Sequence, residues 1–81
     1  VTVEDFKTRI GAVLRDRRHD QGLTLWDVSH RSDVSKSFVS QVERGETIPS
    51  VPTLYRIASA LNLSLIALFT AVDAKPHKDA K

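Results

Sequence analysis

The sequence predicts an all-α domain of five short helices, and three observations carry that prediction. Apolar residues recur at helical spacing: Phe6, Ile10, Val13 and Leu14 run i, i+4, i+7, i+8, and Leu54, Ile57, Ala58 and Leu61 form a second such stripe. Ser or Thr residues able to cap a helix N-terminus precede the apolar segments, and Gly22, Gly45 and Asn62 stand in the breaks, where a left-handed residue ends a helix cheaply. No stretch alternates apolar and polar residues as a half-buried strand would, and no internal repeat or inter-domain linker interrupts the pattern.

Taken in order, Thr2-Val3-Glu4-Asp5 has capping-box spacing and puts acids in the first turn, where the helix dipole favours them. The first helix should end near Asp20, with Gly22 as its left-handed stop. Thr24-Leu25-Trp26-Asp27 is a second capping box, and Leu23 with Val28 has the spacing of a hydrophobic staple. That helix should run from Leu25 to Arg31, followed by the turn Ser32-Asp33-Val34 and a third helix capped by Ser35. Two short helices joined by such a turn make the helix-turn-helix pattern. Glu46-Thr47-Ile48-Pro49 reads as a loop, because Pro49 disfavours a helical Ile48. Ser50 caps the fourth helix, with Pro52 in its first turn where the missing N–H does no harm. Ser64 caps a last helix carrying Leu65, Ile66, Leu68, Phe69 and Val72, which is apolar on more than one face. From Asp73 onward no residue could form a core, so 1–72 is read as the domain and 73–81 as a disordered tail. The predicted core is Ile10, Leu14, Val28, Val34, Val39, Val42, Leu54, Ile57, Ala58 and Leu61.

Eighty-one residues allow one domain near the lower size limit for folding without staples, and the absence of cysteine excludes disulfides and thiolate metal sites. Stability must then come from helix packing, with dimerisation as an aid. The apolar-rich stretch from Leu61 to Val72 is too short for a membrane span, and no secretion signal opens the sequence, so a cytoplasmic location without membrane attachment is expected. Net charge is only +2, but Lys7, Arg9, Arg15, Arg17 and Arg18 crowd the first helix against the single acid Asp16 within that span, which fits a polyanionic partner. His19, His30 and His77 do not have the spacing of a metal site, and Asp16 and Asp20 sit among basic residues as a surface ion-pair network would. No nucleophile–base constellation, phosphate-cradling glycine loop or metal motif is present, so neither an enzyme nor a cofactor is expected.

The segment from Ser35 to Gly45 is the informative one. Val39 and Val42 share one helical face, and Lys36, Ser37, Ser40, Gln41 and Arg44 occupy the other. That face is rich in donors and free of acids. It suits a helix in the DNA major groove, where Lys and Gln read base edges and Ser reaches bases or phosphates. On this segment alone, a short surface helix that lacks acids remains an equal alternative.

The chain resembles the xenobiotic-response-element (XRE) family of helix-turn-helix regulators, whose fold is shared by the lambdoid phage repressors and Cro. The matching residues are Ile10-Gly11, Leu14-Arg15 and Arg18, then Gly22-Leu23-Thr24 and Val34-Ser35. The most specific match is Ser40-Gln41-Val42-Glu43-Arg44-Gly45 followed by Pro49-Ser50-Val51 and Thr53-Leu54-Tyr55-Arg56-Ile57-Ala58. The Pro-Ser-Val-Xaa-Thr-Leu form is similar to bacterial regulators that often add a C-terminal cupin domain. None follows here, as in a bare DNA-binding module or a piece of a longer regulator.

The resemblance implies a compact five-helix, lambda repressor-like fold in which Lys36, Ser37 and Gln41 face base edges, with Ser40 and the capping Ser35 beside them. It implies a phosphate contact for Arg44, and an ion pair between Arg18 and Glu43 that sets the angle of the recognition helix. Thr24 and Trp26 begin the second helix, where N–H groups and the helix dipole favour a phosphate, and His30 lies on the helix that crosses the DNA backbone. For Trp26, partial burial against neighbouring helices is an equal reading. Three positions depart from the family pattern: Leu25 replaces a phosphate-holding glutamine, Ser29 replaces an alanine at the helix crossing, and Asp33 replaces the turn glycine. Leu65, Ile66, Leu68, Phe69 and Val72 offer more apolar surface than one packing face uses, which marks them as a homodimer interface unless the domain's own core takes them. The expected function is sequence-specific binding of double-stranded DNA and transcriptional regulation, with repression at a pseudo-palindromic operator. An antitoxin that pairs with a toxin is the alternative within the same class. A protein-interaction module that has lost DNA binding is the alternative outside it.

Overall fold

In a computed structural model, which describes residues 2–74, the chain forms α1 (Val3–Asp20), α2 (Leu25–Ser32), α3 (Lys36–Glu43), α4 (Val51–Ala60) and α5 (Leu65–Ala74). The helix starts follow from their caps. The Asp5 N–H donates to the Thr2 hydroxyl and the Asp27 N–H to the Thr24 hydroxyl, both at 3.0 Å, while Ser35, Ser50 and Ser64 accept from Phe38, Thr53 and Ala67. The stops follow from left-handed residues: Gly22 (φ 67°), Asp33 (φ 58°), Gly45 (φ 73°) and Asn62 (φ 56°). Two sequence boundaries need correction. Ser32, read as turn, closes α2 and is buried, and Asp73 and Ala74, read as tail, form the end of α5. The remainder of the predicted tail lies outside the described residues.

α1 is the spine: it packs against α3 and α5, while α2 packs against α3 and α4. The buried cluster contains Ile10, Leu14, Val28, Val39, Val42, Leu54, Ile57, Ala58 and Leu61, with Val34 half-buried against it. It also takes in Ala60, Leu68 and Val72. This corrects the assignment of Leu68 and Val72 to a dimer interface. They face α1 within the chain's own core, and Arg9 donates to the Val72 carbonyl at 3.5 Å. At its other end α1 closes off α4: Arg17 donates to the carbonyls of Leu61 (3.1 Å) and Asn62 (2.9 Å), and Gln21 to Leu61 (2.8 Å). These carbonyls would otherwise be orphaned by the end of the helix.

The approach of α1 to α3 depends on Gly11. A Cβ there would lie 2.5 Å from the carbonyl oxygens of both Val42 and Glu43, so only a residue without a side chain lets the two backbones come this close. One turn earlier, Thr8 packs against Gly45 just beyond the end of α3. The C-terminal half of α3 is therefore seated directly on the backbone of α1.

Candidate nucleic-acid interface

The turn between α2 and α3 sets the direction of α3. Asp33 takes the left-handed conformation there, which Asp tolerates better than most side chains do. Ser29, the residue in place of the expected alanine, donates its hydroxyl to the Val34 carbonyl at 2.6 Å and so pins the far side of the turn. Ser29→Ala should remove that bond and cost about 1 kcal/mol. Urea denaturation checks this, and an unchanged midpoint would assign the turn's stability to the backbone alone.

The angle of α3 is further held by Arg18 and Glu43. Arg18 Nε donates to Glu43 Oε2 at 2.8 Å and Nη2 to Oε1 at 2.9 Å, a two-point bond between side chains only 11% and 6% exposed. Nη1 continues to the Leu23 carbonyl at 3.0 Å, tying in the α1–α2 connection. The Glu43 hydrogen bond, opposed by burial, raises the Arg18 pKa above its ordinary value.

With α3 so fixed, its outward side forms one wall of a shallow depression lined by Lys36, Ser37, Ser40, Gln41, Arg44 and, from the start of α2, Leu25. Lys36, Ser37 and Gln41 are exposed and Ser40 is half-buried. Ser35 stands at the helix start outside this depression, its hydroxyl accepting from the Phe38 N–H at 3.1 Å. Leu25 was not expected among the lining residues. Its signal was its place at the first position of α2, directly after the Thr24 cap.

Arg44 lies at the end of the same face. The Gly45 N–H donates to the Val42 carbonyl and the Glu46 N–H to the Gln41 carbonyl, both at 3.0 Å, which is the Schellman pattern of helix termination. This turn brings the Glu46 carboxylate back onto Arg44, whose Nε and Nη2 donate to it at 2.7 and 3.2 Å, while Nη1 donates to the Ser40 hydroxyl. The arginine holds the Glu46 carboxyl below the usual carboxylate range. Sequence reasoning did not find Glu46, because residues two apart do not face each other on a helix and meet here only through the turn at Gly45.

At the start of α2 the picture is less open than the sequence suggested. The Asp27 carboxylate accepts from the Thr24 N–H at 2.9 Å, and the backbone bond from Thr24 lowers its pKa. A phosphate approaching this helix start therefore meets a carboxylate already in place, and the Thr24 N–H is taken. Trp26 is 66% exposed, which removes the reading of burial against neighbouring helices and leaves its indole in solvent beside Leu25. His30 is exposed on the same helix.

On α5, Ile66 is 81% exposed, Leu65 is half-buried, and Phe69 stacks on Phe6 of α1 with ring centroids 6.3 Å apart. The large apolar side chains left on the surface of α5 are thus Ile66, the outer edge of Phe69 and part of Leu65, a smaller area than all five residues would give. Among the described residues no three His, Asp or Glu side chains converge as metal ligands, and no single helix is long and apolar enough to cross a membrane. His77 lies outside the described residues.

The helix-turn-helix family profile (HTH_3) matches residues 14–68. An uncharacterized HTH-type transcriptional regulator, y4dJ of Sinorhizobium fredii, is 38% identical over 72 residues, covering 89% of this chain and 94% of that protein. The transcriptional regulator ClgR of Mycobacterium tuberculosis is 45% identical over 56 residues, which span 69% of this chain and half of ClgR. Among solved structures, the clp gene regulator ClgR from Corynebacterium glutamicum superposes with a TM-score of 0.80 at 31% identity, over 84% of this chain and 72% of that one. The restriction-modification controller protein C.Esp1396I, seen as a tetramer with its natural 35 base-pair operator, shares the fold with a TM-score of 0.78 at 20% identity, over 84% and 90% of the two chains.

Proposed function

The chain belongs to the helix-turn-helix family of transcriptional regulators, and from that premise we propose that it acts as a repressor, inserting α3 into the DNA major groove as one half of a homodimer on a pseudo-palindromic operator. The observation that carries this reading is the depression along α3, where Lys36, Ser37, Ser40, Gln41 and Arg44 come together with no acid among the lining residues. Lys36 and Gln41 lie at the two edges of the exposed face of α3, about 140° apart around the helix, and both line the depression, so both can meet the groove floor. Gln41 suits adenine and Lys36 suits guanine. Arg44 reaches a phosphate from the helix end, with Trp26 and His30 along the backbone on the α2 side, where the Asp27 carboxylate already occupies the Thr24 N–H. Ile66, Phe69 and Leu65 supply the contact between two copies, which sets the two α3 helices about 34 Å apart, one turn of DNA. A dimer seated across promoter DNA represses by occupying it.

Selection of bound sites from random duplexes, followed by titration of mutants on the selected site and its single-base variants, tests this reading. Gln41→Ala should cost about 1–3 kcal/mol on the preferred site and relax preference at one base pair per half-site. Arg44→Ala should weaken all sequences about equally and make the salt dependence shallower by up to about one unit. A Gln41→Ala protein that keeps the full base preference would show that α3 is not the reader.

A further inference from the structure

We propose that Leu25 is a specificity-determining residue that reads the C5-methyl group of a thymine at the edge of the major groove. The inference rests on the α3 reading above and adds to it a residue from another helix. Five of the six side chains lining the depression are polar or charged, and all five present hydrogen-bond donors. Leu25 is the exception: it has nothing to offer a phosphate, a carbonyl or a ring nitrogen. Among the groups that base pairs show in the major groove, the thymine methyl is the apolar one, and apolar side chains are its natural partners.

The placement of Leu25 fits that contact. It is the first residue of α2, held there by the reciprocal Thr24–Asp27 capping bonds at 2.9 and 3.0 Å. Its inner side packs against the core, so the side chain is braced and only its outer part faces the depression. The thymine methyl projects from the groove floor toward the sugar–phosphate backbone. A side chain that enters the depression from α2, beside α3, approaches along that edge, whereas Gln41 and Lys36 enter it from α3 itself. The same contact would cover the exposed part of a leucine that free protein leaves in water, and burying one methyl corresponds to about a fourfold change in affinity.

The test uses the full chain and its selected site, with each thymine replaced in turn by deoxyuridine, which removes only the methyl group. Wild-type binding should fall about fourfold per half-site at one symmetry-related position and stay unchanged elsewhere. Leu25→Ala should bind the thymine and deoxyuridine sites equally there, and Leu25→Gln, which keeps the side-chain length and so guards against a folding defect, should do the same. Gln41→Ala should retain the methyl sensitivity while losing its own base preference. Indifference of the wild-type protein to methyl removal at every position, or full methyl sensitivity in both Leu25 variants, overturns the proposal. If Gln41→Ala loses base preference in that same experiment, only the Leu25 contact has failed. A wild-type protein without any base preference overturns both readings.

Discussion

Gly11→Ala is expected to lower the stability of this protein by about 2 kcal/mol or more, although the same change in most helices raises it. Helix propensity alone favours alanine over glycine by about 1 kcal/mol. Here the added methyl would stand 2.5 Å from two carbonyl oxygens and 2.9 Å from the Glu43 carbonyl carbon. All three are backbone atoms, so no side chain can swing aside, and α1 and α3 must separate. Overpacking of this kind costs about 1–3 kcal/mol when side chains absorb it, and a rigid helix backbone absorbs less. A domain of this size gains only about 4–12 kcal/mol from folding, so the loss should lower the melting temperature by about 10 °C. Calorimetry or thermal circular dichroism reads this directly. A melting temperature at or above that of the wild type would mean the two helices part without cost. Because the methyl presses on the C-terminal half of α3, the variant should also bind its DNA site more weakly at temperatures where it remains folded.

Glu43→Ala should be comparably damaging, by about 2–4 kcal/mol, for an electrostatic reason. The alanine leaves the Arg18 guanidinium in a site where it is 11% exposed, without the two-point partner that balances its loss of hydration. The pair itself contributes little net stability, since its mutual attraction largely offsets two desolvations. Replacing both residues with apolar ones, Arg18→Met with Glu43→Leu, should therefore recover much of what the single change loses. Chemical denaturation of the two single variants and the double variant measures the coupling. A Glu43→Ala midpoint shifted no more than that of an ordinary surface substitution would show that Arg18 finds water instead.

The parts of this molecule that the sequence makes legible are those governed by local rules. Thr2, Thr24, Ser35, Ser50 and Ser64 announce helix starts because a hydroxyl three residues before a free N–H caps it wherever the chain goes next. Gly22, Asp33, Gly45 and Asn62 announce stops for the same reason. The features that stay hidden depend on distant parts of the chain. α5 is apolar nearly all round, so periodicity could not separate Leu68 and Val72, which turn inward, from Ile66, which does not. Gly11 enters the sequence reading only within the Ile10-Gly11 family match, and the packing of α3 shows why no other residue fits. The Arg18–Glu43 pair, 25 residues apart, came from family resemblance, since no spacing rule links two charges on separate helices.

The exposed ion pair between Arg44 and Glu46 means that this arginine carries its own counterion. An arginine in open solvent that meets a phosphate releases a condensed cation from the DNA, and the entropy of that release gives protein–DNA binding its steep salt dependence. If Arg44 meets a phosphate as proposed, the carboxylate it leaves takes up an ion from solution, so part of what the DNA gives up is taken back by the protein. Its contact with any phosphate is an exchange of one anion for another, with a net release smaller than a full ion. Bound at high ionic strength, such an arginine loses less of its contribution than its neighbours do.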